Sequence, residues 1–357
     1  VSRIAVLSGD GIGPEITACA VRVLDAAHPG ITFVEAPIGA AAIHATGEPM
    51  PAETVRICSA SDAILFGAVG GPGFDHLQPH LRPEAAILGL RKHFGLFANI
   101  RPARVFAGMQ QRSPLRPELV DGMDLVFVRE LTGGLYFGDK SLATEDGHEV
   151  VRDVLIYRDF EIERVVRFAF ALAQMRRKRL TSVDKNNVLL SSQLWRRIVE
   201  RVAPEYSDVT LDHMLVDNAA MQLVRDPRAF DVIVTENMFG DILSDEAAMI
   251  TGTIGTAASA ALGGAPDANG FGLYEPISGT APDIAGKGLA NPIGAILSAA
   301  MLLRFSLGDA AGADAIERAV AHTLANGPRS RDLDRDSGVS TTAVADAIVA
   351  QLTAVTA

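Results

Sequence analysis

Short apolar runs that stop at glycine or charge alternate along the chain with longer stretches of helical period. RIAVL (3–7) runs into a glycine-rich turn, GDGIGPE (9–15), and a helical pattern then extends from Ile16 to Ala27. DAILFGAVG (62–70) repeats the motif of an apolar strand ending in glycines. DLVFVREL (124–131), LTSVDK (180–185) and FDVIVTEN (230–237) read as further strands. EIERVVRFAFALAQMRRKR (161–179) and SQLWRRIVERV (192–202) carry the 3.6-residue period of amphipathic helices. This alternation predicts an α/β architecture with a largely open sheet. Two segments depart from it. Residues 134–157 read as two extended strands around a polar turn, a protruding arm. The Gly- and Ala-rich stretch 251–272 leads into a long loop, GLYEPISGTAPDIAGKGLANP (272–292), before a final apolar helix, IGAILSAAMLLRFSL (293–307).

At 357 residues the chain is too long for one simple core, and two domains are expected. Charge narrows the partners. With 43 acidic and 32 basic side chains the net charge is -11, which argues against a nucleic-acid backbone or an anionic membrane. An anionic small molecule remains compatible if arginines gather locally. Cys19 and Cys58 lie in apolar, periodic surroundings, which points to a reduced cytoplasmic setting rather than a disulfide framework. The first residues enter a strand directly, without a signal-peptide pattern, and the longest apolar run (293–303) is too short to span a bilayer.

The glycine loops differ in what they offer. GDGIGPE has the spacing GxGxG, whereas the dinucleotide fingerprint requires GxGxxG followed by an acidic residue about twenty positions on. A classical Rossmann reading is therefore rejected, and a tight strand-to-helix turn with Pro14 at the first helical position is expected. In GTAPDIAGKG (279–288) small residues allow close approach of backbone to a ligand, and Asp283 suits a ribose diol while repelling a 2′-phosphate.

Charged residues gather at a few places. Glu84, Ile87, Leu88 and Arg91 share one helical face by their i, i+3, i+4, i+7 spacing, joining two aliphatic side chains to two charged ones. Arg101 and Arg129 add further guanidinium groups, which suit paired hydrogen bonds to carboxylates. FGDILSDE (239–246) places three carboxylates within six positions; Asp241 and Asp245, four apart, project from one helical face.

GDGIGPE (9–15), LRKHFGLFANIRP (90–102), RELTGGLYFG (129–138), SVDKNNV (182–188), LVDNAAMQL (215–223), FGDILSDE (239–246) and GTAPDIAGKGLANP (279–292) occur in an order that resembles the isocitrate/isopropylmalate dehydrogenase family of β-decarboxylating dehydrogenases. The resemblance implies a two-domain α/β fold unlike the Rossmann fold. A cofactor domain would come from 1–99 plus 252–357, and a substrate, metal and dimerisation domain from 100–251, with the arm at about 134–157. It further implies Arg91, Arg101 and Arg129 as ligands of the substrate carboxylates, Tyr136 and Lys185 as the acid–base pair, and Asp217, Asp241 and Asp245 around Mg²⁺ or Mn²⁺. NAD would be held by Ile12, by the loop residues Gly279, Thr280, Ala281, Pro282, Asp283, Ile284, Ala285 and Gly286, and by Asn291. In a homodimer of this kind Lys185 and Asp217 complete the neighbouring subunit's site, where Asp217 also meets the substrate.

Substrate choice follows from the same helix. Glu84, Ile87 and Leu88, with Val188, match the family positions that surround an isopropyl group; isocitrate-type relatives carry small hydroxyl or amide residues there. An aliphatic pair offers nothing to a third carboxylate, and burying one unpaired costs several kcal/mol, on the order of the penalty for an isolated buried charge. The implied reaction is oxidative decarboxylation of 3-isopropylmalate to 4-methyl-2-oxopentanoate in leucine biosynthesis. Two departures from the family pattern stand out: Ser278 where histidine is usual, and GTIGTAASAALGG (252–264) in place of a more aliphatic run.

Overall fold

The computed structural model describes residues 2–356. In chain order the first elements are β1 (Arg3–Gly9), α1 (Gly13–Ala27), β2 (Thr32–Glu35), α2 (Gly39–Thr46), α3 (Ala52–Ser59), β3 (Ala63–Ala68) and α4 (Ala85–His93). Next come β4 (Ala98–Arg104), α5 (Pro117–Val120), β5 (Asp124–Glu130), β6 (Lys140–Glu145), β7 (His148–Asp153), α6 (Asp159–Gln174), β8 (Arg179–Asp184) and α7 (Leu190–Val202). They are followed by β9 (Thr210–Leu215), α8 (Val216–Arg225), β10 (Val232–Thr235) and α9 (Asn237–Ile250). The last are β11 (Ala258–Leu262), β12 (Gly272–Pro276), α10 (Ile293–Phe305), α11 (Ala310–Asn326) and α12 (Thr341–Thr356). The α/β class expected from the alternation is what the chain adopts.

Two compact units emerge. One takes the chain up to Leu96, Arg104–Gly122, and everything from Ala248 onward; the other takes Phe97–Ala103 and Met123–Ala247. In the first, strands lie in the order β2-β1-β3-β12-β11, with β1, β2 and β3 parallel and β11 antiparallel to β12. All six residues of β3 are buried, which is why it reads as an unbroken apolar run. On α1 the buried Ile16, Cys19, Ala20, Val23 and Leu24 form one stripe. α10 is apolar nearly all round because it is internal, lying against α1, α11, β11 and β12.

In the second unit the order is β4-β5-β10-β8-β9, with β5, β10, β8 and β9 parallel. α6 turns Ile162, Val165, Val166, Ala169 and Phe170 inward, and the backbone N–H of Arg158 donates to the Glu161 carboxylate at 2.7 Å to fix its start. On α7, Trp195 is buried and its Nε1 donates to Ser182 Oγ at 3.2 Å. β6 and β7 pair antiparallel as a separate two-stranded sheet around the Asp146–Gly147 turn, within the 134–157 segment read from the sequence as two extended strands.

Three local expectations are corrected. α6 ends at Gln174 rather than 179, because Arg176 and the Arg177 backbone turn to the buried Asp231 carboxylate at 2.9 Å each. The supposed loop from 272 begins as β12, paired with β11. Pro14 is the second helical residue, since Ile12 occupies the cap position. Among the described residues no helix is long and apolar enough to cross a membrane.

Candidate active site

In the second unit, β5 delivers Arg129 at its penultimate residue and β4 delivers Arg101. Both side chains are buried, at 3% and 8% exposure. Immediately after β10, Glu236 accepts from the backbone N–H groups of Met238 and Phe239 at 3.2 and 2.9 Å, capping the start of α9. That helix presents Asp241 and Asp245 one turn apart. Arg129 Nη1 is ion-paired to Asp241 Oδ1, and Arg101 Nη1 lies 3.2 Å from both Asp241 Oδ1 and Asp245 Oδ1. Gly240 has no side chain for a reason: a Cβ there would stand 2.7–2.8 Å from the Arg129 side chain. Tyr136, at the base of the arm, donates from its hydroxyl to Asp241 Oδ2 at 3.0 Å, and the Arg129 guanidinium sits 5.7 Å from its ring centre. Burial, followed by the Asp241 carboxylate, holds the Tyr136 phenol above its ordinary range, so it stays protonated at neutral pH. Five of the expected residues are thus joined in one network.

Lys185 and Asp217 form a second group in this unit. Lys185 Nζ lies 2.5 Å from Asp217 Oδ1, and that contact, before the local backbone donor, holds the Asp217 carboxyl below its ordinary range. Val188, in the turn after β8, is 66% exposed. Among the described residues no set of three or more Asp, Glu, His or Cys side chains is gathered to hold a metal ion. Two carboxylates nevertheless suit one. Partial burial raises the Asp245 carboxyl, with Arg101 opposing the shift and Asp241 adding to it. A hard divalent cation taking oxygens from Asp241 and Asp245 relieves that mutual repulsion, so the donor set fits Mg²⁺ or Mn²⁺.

In the first unit, Glu84 stands at the N-cap position of α4 without a side-chain capping hydrogen bond, Ile87 is half-buried and Leu88 is 37% exposed. Arg91 is 9% exposed; its Nη2 donates to Glu275 Oε1 on β12 at 2.6 Å, while its Nε has no hydrogen-bond partner. A buried guanidinium with an idle donor edge is suited to an anionic ligand. The 279–291 loop is anchored at several points. The Ile12 N–H donates to Thr280 O at 2.9 Å, Gly288 N–H to Glu15 Oε2 at 3.0 Å, and Asn291 Nδ2 to Asp332 Oδ2 at 3.0 Å. GDGIGPE therefore buttresses this loop. Gly11, at φ +59°, passes so close that a Cβ would come within 2.1 Å of Thr280 O. Gly279, Pro282, Asp283 and Gly286 are exposed along the loop, Thr280, Ala281, Ile284 and Ala285 are half-buried, and a Cβ at Gly279 or Gly286 would meet nothing. An open glycine surface beside an exposed carboxylate fits a dinucleotide's ribose.

The sequence reading missed Asn99, Ser244, Asn237 and Glu275, the residues that hold the arginines. Arg101 donates from Nε to Asn99 Oδ1 at 2.7 Å and from Nη1 to Ser244 Oγ at 2.9 Å. Asn237 Oδ1 accepts from Arg129 Nε and Nη2 at 2.9 and 2.7 Å. For Asn99, Asn237 and Glu275 the one sequence signal is polarity in or just after a strand; Ser244, within α9, has none.

A family model described as isocitrate/isopropylmalate dehydrogenase matches residues 3–348. The chain belongs to this family. It is 58% identical over 353 residues to the 3-isopropylmalate dehydrogenase of Novosphingobium aromaticivorans, covering 98% of this chain and all of the relative. Against the 3-isopropylmalate dehydrogenase of Geobacillus kaustophilus the identity is 55% over 343 residues, covering 94% and 91%. Among solved structures, isocitrate dehydrogenase from Methylococcus capsulatus matches with a TM-score of 0.89 at 35% identity, covering 99% of each chain. A β-decarboxylating dehydrogenase from Thermococcus kodakarensis in its apo form matches with a TM-score of 0.83 at 38% identity, covering 100% and 97%. The family is thus shared with isocitrate enzymes in fold and with isopropylmalate enzymes at the higher identities.

Proposed function

We propose that the chain catalyses NAD-dependent oxidative decarboxylation of 3-isopropylmalate to 4-methyl-2-oxopentanoate and CO₂, a step of leucine biosynthesis. The observation that carries the chemistry is the network of buried Arg101 and Arg129 with Asp241, Asp245 and Tyr136. The arginines bind the substrate's carboxylates, with Arg91 as a third cationic group. The substrate's arrival releases Asp241 and Asp245 from their arginine partners, making their oxygens available to Mg²⁺ or Mn²⁺. When bound, a dinucleotide on the 279–291 loop would supply the hydride acceptor, and a divalent ion held by Asp241 and Asp245 would supply Lewis acidity. Lys185 accepts the proton of the C2 hydroxyl as the neutral amine, having first passed its own proton to solvent. The carboxylate β to the new ketone leaves as CO₂, and Tyr136 delivers its phenolic proton to the carbon left behind. The upward shift keeps the phenol protonated at neutral pH, the form an acid must start from.

Ile87 and Leu88, with Val188, favour a branched alkyl substituent over a third carboxylate. Asp283 accepts hydrogen bonds from the adenosine ribose and repels a 2′-phosphate, favouring NAD over NADP. A second copy of the chain supplies Lys185 and Asp217 to the site. Exposed Met221 and Val224 on α8, Ile242 on α9, and Leu142 and Val151 on the arm support this reading, since solvent is a poor neighbour for so many large apolar side chains. Incubation with 3-isopropylmalate and NAD⁺ should give NADH and CO₂ in equal amounts. Chelation should stop both, and Mg²⁺ or Mn²⁺ should restore both. NADH without CO₂, or turnover indifferent to chelation, counts against the proposal.

A further inference from the structure

The two arginines of the second unit are braced by an unusual choice of partner. Asn99 and Asn237 are both fully buried, and each turns its amide oxygen to the Nε edge of a guanidinium, Asn99 to Arg101 and Asn237 to Arg129. Asn237 also accepts from Arg129 Nη2 and donates from Nδ2 to Gly133 O at 3.1 Å, so its orientation is fixed from both ends. Its own N–H donates to the Tyr157 hydroxyl at 2.9 Å, which secures the first residue of α9. Arg91, also buried, is braced by a carboxylate, Glu275, whereas on Arg101 and Arg129 the carboxylates Asp241 and Asp245 sit at Nη1 and the amides hold the Nε edge. A carboxylate at position 99 or 237 makes a stronger hydrogen bond to arginine than an amide does. It also cancels the positive charge, and in a buried site that cancellation is felt by any anion approaching the other edge of the guanidinium.

We propose that Asn99 and Asn237 are positioning residues that fix the Arg101 and Arg129 guanidinium planes through neutral acceptors, so that once Asp241 and Asp245 leave the arginines their charge meets the dianionic substrate uncancelled by the braces. The proposal rests on the reading that these arginines bind the substrate carboxylates. Charge and geometry predict opposite rankings of two substitutions. Asn237→Asp preserves shape and the acceptor but adds a negative charge; Asn237→Ala removes the brace and leaves the arginine cationic. If neutrality is what matters, KM for 3-isopropylmalate rises in the order parent, Ala, Asp, with the Asp variant raised about tenfold or more. A merely structural role gives the reverse order, because Ala loses every contact of the side chain.

The experiment measures KM and kcat for 3-isopropylmalate, and KM for NAD⁺, in the full-length Mg²⁺-loaded protein carrying each substitution, with Arg129→Gln alongside. The expected result is a substrate KM highest in Asn237→Asp, with KM for NAD⁺ within about twofold of the parent. A substrate KM for Asn237→Asp equal to or below that of Asn237→Ala overturns the proposal. Should the Asn237→Asp protein fail to fold by circular dichroism, Asn99→Asp and Asn99→Ala carry the same comparison. An unchanged KM in Arg129→Gln contradicts the parent reading of the arginine, and is thereby distinguishable from failure of the neutral-brace proposal alone.

Discussion

Replacing Lys185 with alanine separates catalysis from folding sharply. The Lys185 backbone is held by its own N–H donating to Ser192 Oγ at 3.0 Å and by its carbonyl accepting from Val188 and Leu189 at 3.0 and 2.9 Å. Alanine retains all three. What disappears is the ammonium and its 2.5 Å pairing with Asp217, between side chains that are 27% and 60% exposed. Solvent and salt screen such a pair, and its share of folding stability is small. The melting midpoint should therefore stay within about 2 °C of the parent. Loss of a positioned proton acceptor costs about 10²–10⁴-fold in rate. The assay is NADH formation at saturating 3-isopropylmalate, NAD⁺ and Mg²⁺, paired with thermal unfolding and gel filtration. A variant that folds and elutes like the parent yet turns over within about tenfold of it refutes the assignment.

Three further outcomes test other parts of the account. Gly11→Ala forces a residue with a Cβ into φ +59° and against Thr280 O, costing more than the about 1–2 kcal/mol of left-handed strain alone and raising KM for NAD⁺ more than KM for the substrate; equal effects on both contradict the buttress role of this turn. Asp283→Lys removes the ribose acceptor and supplies a partner for a 2′-phosphate, so the ratio of kcat/KM for NAD⁺ over NADP⁺ should fall by about tenfold or more. Cys19 and Cys58 are buried, and burial pushes their thiols up to about 11 and about 12, so a thiol reagent at pH 8 should label neither in the native protein and both after denaturation.

Legibility in the sequence followed burial. Strands buried on both faces, such as β3 and β5, announce themselves as continuous apolar runs, and α6 and α7 by their period. β4 does not, because ANIRPAR carries a buried asparagine, two arginines and a proline; its strand character comes from its place in the sheet, not from its own pattern. β11, ASAAL, is hidden for the opposite reason: its side chains are small because α10 lies against it, and small residues carry little β signal. At the site, the ionisable residues were visible as motifs, whereas their supports were not. Asn99, Asn237 and Glu275 act through hydrogen bonds to residues 2, 108 and 184 positions away, and the two long-range pairings leave no local periodicity. GDGIGPE was correctly set aside as a dinucleotide fingerprint, but its use as the support of another loop becomes visible only when Thr280 is seen against it.

The central claim is the substrate, and it rests on an aliphatic helix face meeting an alkyl group rather than a charge. Comparing kcat/KM for 3-isopropylmalate, isocitrate and D-malate, with NAD⁺ and Mg²⁺ present throughout, tests it directly. The account predicts that 3-isopropylmalate leads isocitrate by at least about 10²-fold, the consequence of leaving a third carboxylate without a partner. Equal or better turnover of isocitrate or D-malate contradicts it.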